Sequence, residues 1–152
     1  MFLYLHAPVA LALTAQLTNP AATFTIGLAS HFLIDMIPHG DRQLDAMMER
    51  KSRKVKLAFM TSFAMIDTIA VACIVWYMDH INMLSISSCA AVIGAMLPDY
   101  IWGVHEVTKW KILDRYRSFH SWFQSFRGRD VPLWFGVCYQ TLAAVWLLKY
   151  IS

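Results

Sequence analysis

Five apolar stretches, Phe2 to Thr18, Ala21 to Pro38, Val55 to Met78, Ile81 to Val104 and Val131 to Ile151, take up most of a 152-residue chain. Each approaches the ~20 residues that a helix rising about 1.5 Å per residue needs to cross a hydrocarbon core of about 30 Å. In lipid, every backbone amide and carbonyl must be paired within its own segment, which leaves helices as the structure such runs can form. The expectation is an all-α integral membrane helical bundle of about five transmembrane helices, one domain over residues 1–152. Composition agrees, since 58% of the residues are hydrophobic against roughly 45–50% in ordinary soluble domains. "FLYLHAPVALALTAQ" follows Met1 with no basic residue before the apolar run and a histidine inside it. That is unlike a secretory signal, so the first segment is expected to be retained. Cys73, Cys89 and Cys138 are isolated, without CxxC spacing, and are expected to fill apolar cores.

Charge sets the expected orientation. Of thirteen Lys and Arg, six lie between Asp41 and Lys56, six between His105 and Asp130, and only Lys149 elsewhere. Two spans separate these basic belts, so both can face the cytoplasm, as the positive-inside rule requires. The first two spans then form a hairpin turning at Asn19 and Pro20, with Met1 near the cytoplasmic face. Between the last two spans, Trp110, Tyr116, Phe119, Trp122, Phe123 and Phe126 alternate with basic residues. This mixture suits a surface amphipathic helix in the headgroup layer. Lying between spans, it is a segment for membrane lipids, with no nucleic acid as partner.

Four of the ten acidic residues fall outside the belts: Asp35, Asp67, Asp79 and Asp99. Asp79 sits at a span end, but the other three lie in apolar segments that offer them no Lys or Arg nearby, Lys56 standing eleven residues before Asp67. Such carboxylates must be protonated, hydrogen-bonded or bound to a cation. Histidines occur beside them, and carboxylates with imidazoles are the donor set of zinc, manganese and iron sites. His31, Asp35 and His39, in "HFLIDMIPHGD", follow an i, i+4, i+8 spacing that keeps them on one stripe, although Pro38 re-aims the last. On this topology His6, Asp99 and His120 approach the same cytoplasmic mouth, and Asp67 lies deeper. Candidate metal ligands are His6, His31, Asp35, His39, Asp99 and His120; candidate catalytic residues are His120, Asp99 and Asp67. Plainer roles stay open: a structural His31–Asp35 pair, a packing role for His6, a helix cap at Asp99, and support of a ligand by Asp67. His80 and His105 are expected at the surface.

"YLHAPVAL", "SHFLIDMIPHGD", "GAMLPDYIW" and "FHSWF" together resemble short blocks of the bacterial membrane-bound metal-dependent hydrolases, the group that includes LexA-regulated inner-membrane hydrolases. The resemblance implies metal-site roles for His6, His31, Asp35, Asp99 and His120. The order of the blocks differs from that family, which leaves one or two ions open. Pro38-His39 and Pro98-Asp99, each near a span end, hint at an internal duplication. Three functions remain in view. The first is a hydrolase using a divalent metal, zinc by its donors, on a lipid or lipid-linked (phospho)ester at the cytoplasmic face of the inner membrane. The second is a metal or proton transporter, for which intramembrane acids and histidines are also expected. A non-catalytic membrane scaffold with a structural metal site is the third. Polar groups are scarce in the outer half, which favours the enzyme.

Overall fold

The computed structural model describes residues 2–126 and 131–152, with backbone alone at positions 41, 42 and 45. Met1 and three belt residues, Arg127, Arg129 and Asp130, lie outside the described residues. Among those described there is no strand, and the helices are α1 (Leu3–Thr14), α2 (Pro20–Asp35), α3 (Asp41–Met48), α4 (Arg53–His80), α5 (Ile86–Thr108), α6 (Asp114–Ser125) and α7 (Leu133–Ile151). A 3-10 turn at Lys111–Leu113 leads into α6.

Local chemistry sets the helix starts. Asn19 accepts from the Ala21 and Ala22 amides with Pro20 at the first helical position, so the expected hairpin turn also caps α2. Ser52 caps α4, and Ser85 with Ser88 forms a capping box on α5. α2 ends at Asp35, ahead of the conformational restriction that Pro38 places on Ile37.

α1 is the centre of the arrangement, packed on α2, α4, α5 and α7. Leu3, Ala7 and Leu11 meet Val71, Ile74 and Met78 of α4, Val92 and Met96 of α5, and Ile151 of α7 in one apolar core. The tightest interface joins α2 and α5. A Cβ on Gly27 would lie 2.2 Å from the Ala91 carbonyl oxygen, and one on Gly94 would lie 2.2 Å from that of Phe24. Only glycine permits such an approach of two backbones. The hydroxyl of Thr23 donates to the Ser87 carbonyl at 2.8 Å, and His31 Nδ1 donates to the Ala95 carbonyl at 2.7 Å, both across 64 residues. α2 and α5 therefore run parallel in fixed register. That register sets Asp35 opposite Asp99, whereas the duplication suggested by the two proline pairs would have set His39 there.

Two helices among the described residues, α4 and α5, are long and apolar enough to cross a membrane. α1 with 12 residues and α2 with 16 fall short of the ~20 needed. α7 has 19, with Gln140 and Lys149 among them. Most of the apolar surface of α4 faces outward, including Ile66 at 68% and Trp76 at 67% exposure. The total accessible area of 9326 Å² exceeds the roughly 7,900 Å² that a soluble monomer of this mass presents. Cys73 and Cys138 lie on this exterior and Cys89 is half-buried, so these thiols do not fill cores as expected.

Candidate metal centre

The register of α2 and α5, together with α6 laid across them, brings four donors to one point. His31 and Asp35 come from α2, Asp99 from α5 and His120 from α6, with one ligand atom of each within 4.8 Å of all the others. His31 Nε2 lies 3.5 Å from Asp35 Oδ2 and 3.6 Å from Asp99 Oδ1. His120 Nε2 lies 3.7 Å from Asp35 Oδ2 and 3.3 Å from Asp99 Oδ1. The two Nε2 atoms are 3.3 Å apart. A zinc ion with ligands at about 2.0–2.1 Å in tetrahedral geometry has ligand–ligand edges of about 3.3–3.4 Å. Five of the six donor–donor distances, 3.3 to 3.7 Å, lie close to those edges, and the two carboxylates complete the group within 4.8 Å.

The donor chemistry fits a cation as well as the distances do. Nδ1–H of His31 is committed to the Ala95 carbonyl, so its Nε2 presents a lone pair to the cluster. Nδ1 of His120 and Nδ1 of His6 are buried with no hydrogen-bond partner. Leaving such groups unmet costs about 1–3 kcal/mol each. His6 stacks on His31 with ring centroids 4.1 Å apart and brings Nε2 to 3.4 Å from Asp35 Oδ1, the oxygen turned away from His120. It flanks the four-donor group. No Lys or Arg occurs in α1, α2 or α5, and α4 has none beyond Lys56.

α6 is held in place by residues whose importance the sequence did not mark. The Tyr116 hydroxyl donates to the Pro98 carbonyl at 2.7 Å. Burial, with Asp99 and Asp35 nearby, pushes that phenol above its ordinary range, which keeps it a donor. Gln124 Nε2 approaches Asp35 Oδ2 at 3.5 Å, and Phe32 of α2 packs on His120, Phe119 and Phe123. Tyr116 lies four residues before His120, one turn along α6; that spacing was the available signal.

Two expected site residues, Asp67 and His39, stand outside the four-donor group. Asp67 accepts from the Leu3 amide and, at 2.9 Å, from the Tyr4 amide, so it caps the free N-terminal amides of α1 while lining the same cavity as Asp99 and His120. His39 is buried, but its Nδ1 donates to the Ile37 carbonyl at 2.6 Å. The loop that holds it is fastened to α7: Tyr139 donates to the Pro38 carbonyl, and a Cβ on Gly136 would lie 2.2 Å from the His39 carbonyl oxygen. Gly40 at φ +85° makes the turn. Buried Gln140 completes this corner, accepting from the Phe2 amide at 3.1 Å and donating to the Gly136 carbonyl. His105 is buried, contrary to expectation, and bonds Asp114 at 2.9 Å. His80 is exposed and stacks on Trp76.

No protein-family model, curated protein or solved structure matches this chain.

Proposed function

We propose that this chain is a multi-pass inner-membrane hydrolase that uses one zinc ion to cleave a lipid or lipid-linked ester near the cytoplasmic face. The observation that carries the reading is the group of four donors gathered within 4.8 Å of one another, with His31, Asp35 and His120 buried and Asp99 partly exposed. Zinc is favoured over magnesium because two imidazoles are among the donors. The short blocks that resemble those of membrane-bound metal-dependent hydrolases point the same way. Both basic belts belong to the cytoplasmic side on this reading. Asp99 lies thirteen residues beyond Ile86 and nine before Thr108, about 20 Å from one end of α5 and about 14 Å from the other. On this orientation the centre would lie about 3 Å to the cytoplasmic side of the α5 midpoint, under α6.

Roles divide by burial. His31, Asp35 and His120 are buried and would hold the ion, a two-histidine, one-carboxylate set of the kind found in catalytic sites. Asp99, whose side chain is 22% exposed, faces a cavity and is placed to take the proton of an attacking water. A bound zinc supplies Lewis acidity toward an ester oxygen and acidifies the water it holds to a pKa of about 7. His6 steadies Asp35 from its other oxygen. The reading is tested by stripping purified protein with a chelator and restoring zinc while following cleavage of acyl esters, phospholipids and lipid phosphates. Turnover should vanish, return with zinc, and be absent in His31→Ala. A zinc-loaded protein inert toward all three classes would leave a scaffold with a structural metal; ion flux in proteoliposomes would make it a transporter.

A further inference from the structure

Asp99 and His120 form one end of a cavity of about 530 Å³ between α4 and α5, a size typical of small-molecule sites. The two helices are bridged above and below it. Thr68 and Tyr100 share a hydroxyl hydrogen bond of 2.8 Å at the metal-centre end, and Arg53 donates to the Val107 carbonyl at 3.4 Å at the other. Between these bridges the walls are apolar, with Leu57, Met60 and Phe63 facing Trp102, Val104 and Val107. Gly103 sits in the α5 wall where an added Cβ would meet nothing within 4 Å. The missing side chain leaves part of the groove's width.

Charge decides what can react at the closed end. No Lys or Arg lines the cavity among the described residues. A divalent ion beside Asp35 and Asp99 is already matched by two carboxylates before any substrate arrives. Phosphoryl transfer spreads negative charge over three oxygens and is served by cationic clamps, which the described residues at this end of the groove do not offer. An acyl ester brings no charge to the ion, needs only its carbonyl polarised, and has a chain that an apolar groove takes from lipid or detergent.

We infer that the α4–α5 groove binds the hydrocarbon chain of a carboxylic ester, so that the centre is an acyl-ester hydrolase and not a phosphatase. The inference rests on the hydrolase reading above. Water adds to the acyl carbon, the bond from that carbon to the ester oxygen breaks, and the proton taken from water passes to the departing oxygen. A fatty acid and an alcohol result.

The experiment uses the full zinc-loaded chain with p-nitrophenyl acetate, butyrate, octanoate and dodecanoate, beside p-nitrophenyl phosphate and a lipid phosphate. From acetate to octanoate, kcat/KM should rise about fourfold for each added methylene that the groove buries fully, with neither phosphate cleaved above the metal-free protein. Gly103→Leu should keep its zinc and cut the octanoate-to-acetate ratio at least tenfold. Cleavage of the phosphates in preference to the esters would overturn the inference while leaving a hydrolase. A chain-length gradient unchanged by Gly103→Leu would overturn the groove. If no substrate is cleaved, the hydrolase reading fails, and binding of a fluorescent long-chain ester judges the groove by itself: affinity at least tenfold weaker in Gly103→Leu supports it, and equal affinity refutes it.

Discussion

Asp35 and Asp67 are both buried carboxylates in apolar helices, yet their surroundings assign them opposite work. Asp35 faces three imidazoles, whereas Asp67 faces two backbone amides. Asp35→Asn keeps the shape and replaces an acceptor oxygen with a donor amide. Zinc affinity should drop by more than the roughly 10–100-fold that loss of an outer partner costs, with little change in the helical signal. Asp67→Ala should do the reverse, keeping zinc while lowering stability by about 1–3 kcal/mol as two amides lose their acceptor. Thermal unfolding in detergent, read beside metal content, separates the two. Loss of zinc in Asp67→Ala at full stability would return that residue to the site. His31 and Asp35 were legible in the sequence because one helical turn fixes their relation. The fate of His39 was not legible, since it depends on the turn at Gly40 and on contact with α7 about a hundred residues away.

At the scale of elements, the centre depends on how closely α2 and α5 approach. The Cβ added by Gly94→Ala would strike the backbone of Phe24, and a backbone cannot turn aside as a side chain can. The helices must separate, at a cost of about 1–3 kcal/mol or more, and Asp35 moves away from Asp99. The variant should show both a lower Tm and weakened zinc binding. Gly103→Ala on the same helix meets open space and should be neutral, or stabilising by up to about 1 kcal/mol. Equal behaviour of the two variants would deny the close approach its importance. The apolar runs revealed five of the helices, and the aromatic-basic run revealed α6. Their lengths were less legible, because apolar residues continue past the points where Thr14 and Asp35 end α1 and α2. The parallel register of α2 and α5 follows from two glycines that look unremarkable in sequence.

For the molecule as a whole, donors from α2, α5 and α6 share one centre only if both basic belts lie on one side of the membrane. Single cysteines at Ser52 and Ser125, both exposed, in a background lacking Cys73, Cys89 and Cys138, should react with an impermeant maleimide from the cytoplasmic side alone. Reaction from opposite sides would separate His120 from α2 and dismantle the site. The most direct measurement is the zinc content of the purified protein in detergent, with His31→Ala and His120→Ala prepared in parallel. About one equivalent that survives dialysis in the wild type and falls well below that in both variants is the expected result. Wild-type protein that carries no transition metal and takes up none on titration would contradict the account.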